Sequence, residues 1–270
     1  MNIFNLLVAV IWLIPCVFML MMGQFNLINM DPMSLTNYVN VVQALSALVA
    51  GILCLWSSGA FAKSDDNRLA WNLVGWGILA WFTGMAYYTY YTIANTPVGA
   101  TLENIAFDEN GGISDWLFLL SIPLIIIGFY YLYKSLKSRI TIAGWVISVI
   151  VLIGTMVFSL SQNWNLLFPE TGFVFNSEFM TVSLYCLLYP ILFAFAVATV
   201  SILATSLMGR PWIWVIVGIL IYGIMDVVYP LLNSLSLYSA GSWIDLAWVV
   251  GFMFVGIGAI INYQTLKKTY

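Results

Sequence analysis

Asp226 is the one acid of this 270-residue sequence that lies well inside an apolar run, about fourteen residues past Trp212, where that run begins. An ionisable group at such depth in a membrane helix costs at least a few kcal/mol, and is kept where it faces protein, water or a partner. Tyr229 follows three residues on, shares the helical face, and is placed to donate a hydrogen bond to the carboxylate. Pro230 brings no amide proton, so it is expected to kink the helix and free a backbone carbonyl beside the acid. Three uses stand open for Asp226: a polar clamp with Tyr229 and nearby Ser or Thr, a contact to a ligand or ion, or proton transfer.

Two more acids open apolar runs. Asp115 follows Ser114, and Asp245 lies three residues after Ser242. Each is expected either to cap its helix, accepting from a first-turn amide at the favourable end of the dipole, or to sit at the rim of a cleft. Tyr88 and its neighbours Tyr87, Tyr90 and Tyr91 end one apolar run, and Tyr189-Pro190 marks a second kink. Tyrosine and tryptophan gather at headgroup level, so interface anchoring competes with a binding role for these rings.

Several chemistries are excluded by absences. The sequence has no histidine, and no lysine inside an apolar run, which removes Ser/His proteolysis and a retinal Schiff base. One deep acid cannot form an aspartyl pair. There is no phosphate-binding glycine loop and no CxxC; Cys16, Cys54 and Cys186 all lie in apolar runs and read as small buried hydrophobes. The expectation is a protein that is not an enzyme, without cofactor, metal or nucleic-acid partner.

The elements that must position these residues are membrane helices. Hydrophobic residues make up 63% of the chain and charged ones 7%, with a mean hydropathy of +0.99, against roughly 45–50% and about 25% in soluble domains. The expected fold is an all-α polytopic bundle of eight transmembrane helices over about 3–23, 37–57, 70–92, 114–136, 141–161, 179–207, 212–235 and 243–264. Residues 1–24 have no basic n-region, so they are expected to remain as the first span. Lys63, Arg68, Lys134, Lys137, Arg139, Arg210, Lys267 and Lys268 all fall on one side of this topology. The positive-inside rule then makes both termini cytoplasmic. The other side carries the longer loops with Asp31, Glu103, Asp108, Glu109, Asp115, Glu170, Glu178 and Asp245 and no cation. Residues 93–113, with Asn95-Thr96-Pro97, Gly99 and Asn110-Gly111-Gly112, read as a lid or a plain connection.

The chain also repeats itself. An offset of 141 pairs Trp71 with Trp212, Gly77-Ile78-Leu79 with Gly218-Ile219-Leu220, and Tyr88 with Tyr229. An offset of 130 pairs Asp115 with Asp245, Ile127-Gly128 with Ile257-Gly258, and Tyr133 with Tyr263. One membrane domain is expected, built from a first repeat of about 1–140 and a second of about 141–270, in the same orientation because each holds an even number of spans. Met85 stands where the second copy has Asp226, so any site is asymmetric.

The succession Trp71, Gly77, Gly84 and Tyr88, then Asp115 and Pro123, Tyr189-Pro190, Asp226 to Tyr229, and Asp245 to Trp248 and Gly251 resembles the multi-span sensory region found N-terminal to bacterial and archaeal diguanylate cyclases and histidine kinases. The resemblance covers about residues 70–264 and implies an input module in a prokaryotic plasma membrane. In that family a cytoplasmic output domain follows; here six residues follow the last span, so a separate signalling partner is expected. The functional expectation is a freestanding sensing or ligand-binding module for an unknown small ligand, with Asp226, Tyr229, Tyr88, Asp115 and Asp245 as ligand-binding residues. The alternative is a small transporter or proton-coupled carrier with Asp226 as its coupling group.

Overall fold

A computed structural model describes residues 3–97, 104–108, 111–136, 139–170, 172, 174–203 and 209–267. Lys137, Lys268, Glu103, Glu109, Gly99 and Asn110, singled out above, lie outside the described residues. The chain is 83% helix, with no strand among the described residues. The elements are α1 (Ile3–Met22), α2 (Pro32–Ser58), α3 (Asp66–Asn95), α4 (Ile113–Leu136), α5 (Ile142–Gln162), α6 (Trp164–Leu167), α7 (Ser177–Leu203), α8 (Gly209–Ser234) and α9 (Trp243–Lys267). All but the four-residue α6 are long and apolar enough to cross a membrane, giving eight spans.

The helices begin where the sequence offers caps. Asp31 accepts from the Ser34 amide at 2.9 Å with Pro32 at the first helical position, so α2 starts five residues earlier than its apolar run suggests. Asp65 caps α3 through the Asn67 amide at 2.8 Å, and Thr141 caps α5 through Gly144 at 3.0 Å. α1, α4, α7 and α8 run without a break through Pro15, Pro123, Pro190 and Pro230. Each such proline leaves the carbonyl four residues earlier without its helical donor. The Tyr38 hydroxyl donates to the carbonyl of Pro15 itself at 3.1 Å.

Six helices close a ring in the order α2, α3, α4, α7, α8, α9 and back to α2. α1 lies outside against α9 and α2, and α5 outside against α7. The outer pair turns aliphatic faces away from the protein, among them Val10, Ile11 and Ile14 on α1 and Ile150, Ile153 and Val157 on α5. Such faces suit hydrocarbon, where every backbone group is already satisfied inside the helix.

The tightest packing is within two antiparallel pairs, α3 with α4 and α8 with α9. A methyl group at Gly77 would meet Ile125 at 2.7 Å and the Ser121 carbonyl at 2.9 Å; one at Gly218 would meet Val255 at 2.9 Å and press on the Gly251 carbonyl. At the other end Gly128 lies against Val74 and Ala70, and Gly258 against Val215 and Pro211. Every residue in the first pair has its counterpart 141 positions on in α8 or 130 positions on in α9. Small residues let backbones approach closely, the main source of helix association where no hydrophobic drive separates protein from lipid.

Between the pairs lies a seam of large rings. Trp71 and Trp212 meet with centroids 4.2 Å apart, Trp81 faces Tyr222 at 6.5 Å, and Phe252 packs on both of the latter at 4.7 and 4.9 Å. Trp71, Trp212 and Tyr222 are within 2% of complete burial. Toward one end, polar side chains tie helices together: Ser58 to Asn72 and Asn262 to Ser57, each at 2.7 Å, and Ser135 to Asn67 at 3.0 Å. The described cations Lys63, Arg68, Lys134, Arg139, Arg210 and Lys267 lie at this basic end. The described acids Asp31, Asp108, Asp115, Glu170, Glu178 and Asp245 lie at the opposite, acidic end.

Candidate functional site

The acidic half of the bundle holds three carboxylates joined through aromatic side chains. Asp226 projects from α8, eight residues before the helix ends, hence roughly 12 Å below the acidic-end terminus at about 1.5 Å per residue. Its Oδ1 accepts from the Trp248 indole N–H of α9 at 2.6 Å, and its Oδ2 from the Tyr189 hydroxyl of α7. The indole of Trp81 on α3 interacts with the same carboxylate. Four helices of the ring therefore converge on one acid. Pro230, four residues on, takes away the amide that would have bonded the Asp226 carbonyl.

Tyr229 does not donate to Asp226. Its ring packs edge-on against Tyr238 at 4.9 Å and against Trp248 at 5.9 Å. Spacing of three residues puts two side chains on one face, but the hydrogen bond goes to whichever donor the packing aims at the carboxylate, and here neighbouring helices supply Tyr189 and Trp248. The clamp of Asp226 is thus formed by α7 and α9 rather than within α8.

Asp115 and Asp245 occupy equivalent places at the starts of α4 and α9. Both sit at the third helical position and reach back, Asp115 to the Gly111 amide at 2.7 Å and Asp245 to the Gly241 amide at 2.8 Å. They are not N-caps accepting from the first turn, as expected, but acids bonded to the residue before the cap, close to the return leg of a capping box. The glycines have φ of +83° and +79°, the left-handed conformation that folds the amide back toward the acid and that residues with a Cβ avoid. Asp245 is fully buried and not at a rim: its Oδ1 also accepts from Gln43 of α2 at 2.8 Å and from the Tyr238 hydroxyl at 3.1 Å. Asp115 is half-buried; the Tyr185 hydroxyl of α7 donates to its Oδ1 at 3.3 Å and its carbonyl at 3.2 Å.

These groups form a continuous path. From Asp115 it runs through Tyr185 to Tyr189, whose rings stack at 6.0 Å and 12°, then to Asp226, Trp248, Tyr229, Tyr238 and Asp245. Tyr88, on α3, stacks on Phe107 at 6.0 Å and lies within electrostatic reach of Tyr229 and Asp115. Tyr238 belongs to the loop between α8 and α9, where burial and then the Asp245 charge push its phenol well above the ordinary tyrosine range. All five residues singled out from the sequence thus lie in this half of the bundle. Tyr185, Tyr189, Trp81, Trp248, Tyr238 and Gln43 complete the network and were not singled out as ligands. Only Tyr189, by its proline, and Trp248, within the spaced series, carried any signal.

Among the described residues, every hydrogen bond to the three carboxylates comes from a neutral group: phenol, indole, amide or backbone N–H. Among the described residues the ion pair is Lys134 with Asp66 at 3.1 Å, exposed and at the basic end, where solvent screens such a pair and it adds little to stability. Met85, the counterpart of Asp226 in α3, is buried in the apolar core. The arrangement offers negative charge, oxygen acceptors and ring faces, with no nucleophile and base in contact. Above it, on the acidic face, a cavity of about 390 Å³ is lined by Tyr91, Asp108, Gly111, Gly112, Asn176, Ser177 and Glu178. Compared with known proteins, the chain matches no family model, no curated relative and no solved structure.

Proposed function

We propose that this is a non-enzymatic integral membrane protein, a sensing or ligand-binding module made of two same-orientation four-helix repeats, with the basic end cytoplasmic and the acidic end outside, in a prokaryotic plasma membrane. The observation that carries the reading is the convergence of α3, α7 and α9 on the Asp226 carboxylate of α8, all three side-chain contacts coming from helices other than its own. A small ligand that touched Asp226, Tyr229 and Tyr88 would thereby touch both repeats. The reading of a duplicated unit is supported by the glycine contacts that recur at offsets of 141 and 130, and by the Gly111–Asp115 and Gly241–Asp245 loops. The signal would pass at the basic end to a partner that senses the relative position of the two helix pairs.

The test uses the full chain in lipid nanodiscs, screened by thermal shift against small-molecule pools, together with copurification from membranes. A ligand that raises the transition in the native chain and fails to do so in Asp226→Asn supports the module, as does recovery of a signalling enzyme with the native chain. Asp226-dependent flux of a solute or of protons in proteoliposomes would overturn it in favour of a carrier. Stability changes in Asp226→Asn and Tyr229→Phe without any ligand would reduce the protein to a scaffold.

A further inference from the structure

We infer that the ring has one joint built to part, between α7 and α8, and that the Tyr189 hydroxyl on the Asp226 carboxylate is the latch that holds it shut. The inference goes beyond the ligand-binding reading, since such a movement would serve a sensor or a carrier alike. Among the described residues, α7 and α8 share less packing than any other two neighbours in the ring. The cause is what separates them. At the α2–α3 joint a Cβ on Gly75 would meet the Gly51 carbonyl at 3.1 Å, and one on Gly51 the Gly75 carbonyl at 3.2 Å, so the two backbones touch. At the α7–α8 joint the atoms nearest a Cβ on Gly223 are ring carbons, of Phe193 at 2.8 Å and of Tyr189 at 3.3 Å. Aromatic side chains hold α7 off the α8 backbone.

Polar ties repeat the contrast. α2 is tied to α9 at two depths, Gln43 to Asp245 at 2.8 Å and Asn262 to Ser57 at 2.7 Å. α7 is tied to α4 twice at the acidic end, Tyr185 to Asp115 at 3.3 Å and the Trp116 indole to Ser177 at 3.1 Å. From α7 to α8, the side-chain hydrogen bond among the described residues is Tyr189 to Asp226. Trp248 fixes that carboxylate at 2.6 Å within the close α8–α9 pair, so the bond joins two bodies, α7 with α4 and α8 with α9. At the basic end the two helices are pinned, since a Cβ on Gly209 would meet the Leu203 Cα at 3.0 Å. Parting is therefore confined to the acidic half.

Both helices can also bend beside the latch. Pro190 adjoins Tyr189 and Pro230 lies one turn past Asp226, and each removes one backbone hydrogen bond from its helix. Helices α3 and α9 carry no internal proline. Release of one phenol–carboxylate bond then frees the acidic half of α7 from α8, and packed interfaces of this kind switch between discrete arrangements instead of yielding gradually.

The test is a pulsed electron spin resonance distance measurement on the full chain in nanodiscs. Spin labels at Met180→Cys and Asn233→Cys span the acidic ends of α7 and α8, and labels at Ser34→Cys and Asn95→Cys span those of α2 and α3 as the reference. All four positions are exposed, whereas Cys16, Cys54 and Cys186 are buried, so the label is directed to the introduced pair. With Tyr189 in place, the α7–α8 distance distribution is expected to be at least twice as wide as the reference. Tyr189→Phe is expected to move at least half of it to longer distances and to leave the reference as it was. Equal widths at the two joints overturn the inference, and this comparison stands even if Tyr189→Phe folds poorly. An α7–α8 distribution unchanged by Tyr189→Phe, or broadening of both joints alike, overturns the latch.

Discussion

Trp71 and Trp212, 141 positions apart in the chain, meet across the seam with ring centroids 4.2 Å apart and a tilt of 34° between their planes. Both are buried, and the Trp71 indole N–H has no hydrogen-bond partner. What holds the two helix pairs together at this level is therefore ring contact, not polar bonding. Trp71→Ala is expected to destabilise the bundle by about 3–5 kcal/mol, the range for emptying a large aromatic site. Trp71→Phe, which loses area but no hydrogen bond, is expected to cost clearly less. Reversible unfolding in mixed micelles with SDS, followed by fluorescence or circular dichroism, separates the two; equal losses would refute the account.

Gly251 and Gly154 make opposite predictions for the same substitution. A Cβ at Gly251 would meet the Gly218 carbonyl at 2.8 Å and the Tyr222 amide at 3.0 Å, whereas at Gly154 on α5 nothing lies within 4 Å. Gly251→Ala should cost about 1–3 kcal/mol as α8 and α9 are forced apart. Gly154→Ala should be neutral or stabilising by up to about 1 kcal/mol through helix propensity. Melting temperatures of the two variants in one detergent decide the matter.

Asp226 and its two donors should behave as one unit. Tyr189→Phe and Trp248→Phe each take one hydrogen bond from the carboxylate, and each should cost about 1–3 kcal/mol. The pair should be non-additive, with a coupling of about 0.5–3 kcal/mol in a double-mutant cycle. Tyr229→Phe, whose hydroxyl does not bond Asp226, should leave the coupling unchanged. An additive cycle would mean that the carboxylate is not shared.

The start of α2 should be acid-sensitive. Hydrogen bonds from Ser34 hold the Asp31 carboxyl below the usual carboxylate range. Because the folded value is depressed, the stabilisation is present above the unfolded value near 4 and is lost as pH falls through the lower, folded one. Hydrogen exchange of the first turn of α2 should accelerate between about pH 4 and pH 2 in the native chain, while Asp31→Ser, which caps without titrating, should show no such acid-specific change. Asp31→Ala should fray at every pH.

Most of the scaffold was legible because membrane spans announce themselves by length and apolarity. The limits of α1, α5 and α9 fall within about three residues of expectation at each end. α2 and α3 begin earlier than the apolar run because their first turns are polar, and the caps Asp31 and Asp65 mark the starts. The expected end of the sixth span, at 207, lies outside the described residues; the described helix runs to Leu203. α6 was missed since four residues carry no period; what fixes it is Leu167 packing under Val182 and Cys186. The depth of Asp226 could be read from one helix, but its partners could not. Tyr189 and Trp248 lie 37 positions before and 22 after it, and no helical spacing links residues on different helices. The expected hydrogen bond from Tyr229 to Asp226 is absent for the same reason.

The contrast between backbone-on-backbone packing within each helix pair and ring-on-ring packing between the pairs has a mechanical consequence. Glycine contacts such as Gly218 on Gly251 interlock and leave no room for slip, whereas flat rings such as Trp71 and Trp212 can glide over one another at little cost. Each pair should therefore travel as a stiff body, with shear confined to the plane where Trp71 meets Trp212, so that a sub-ångström displacement beside Asp226 is carried undiminished to the far ends of α3 and α8.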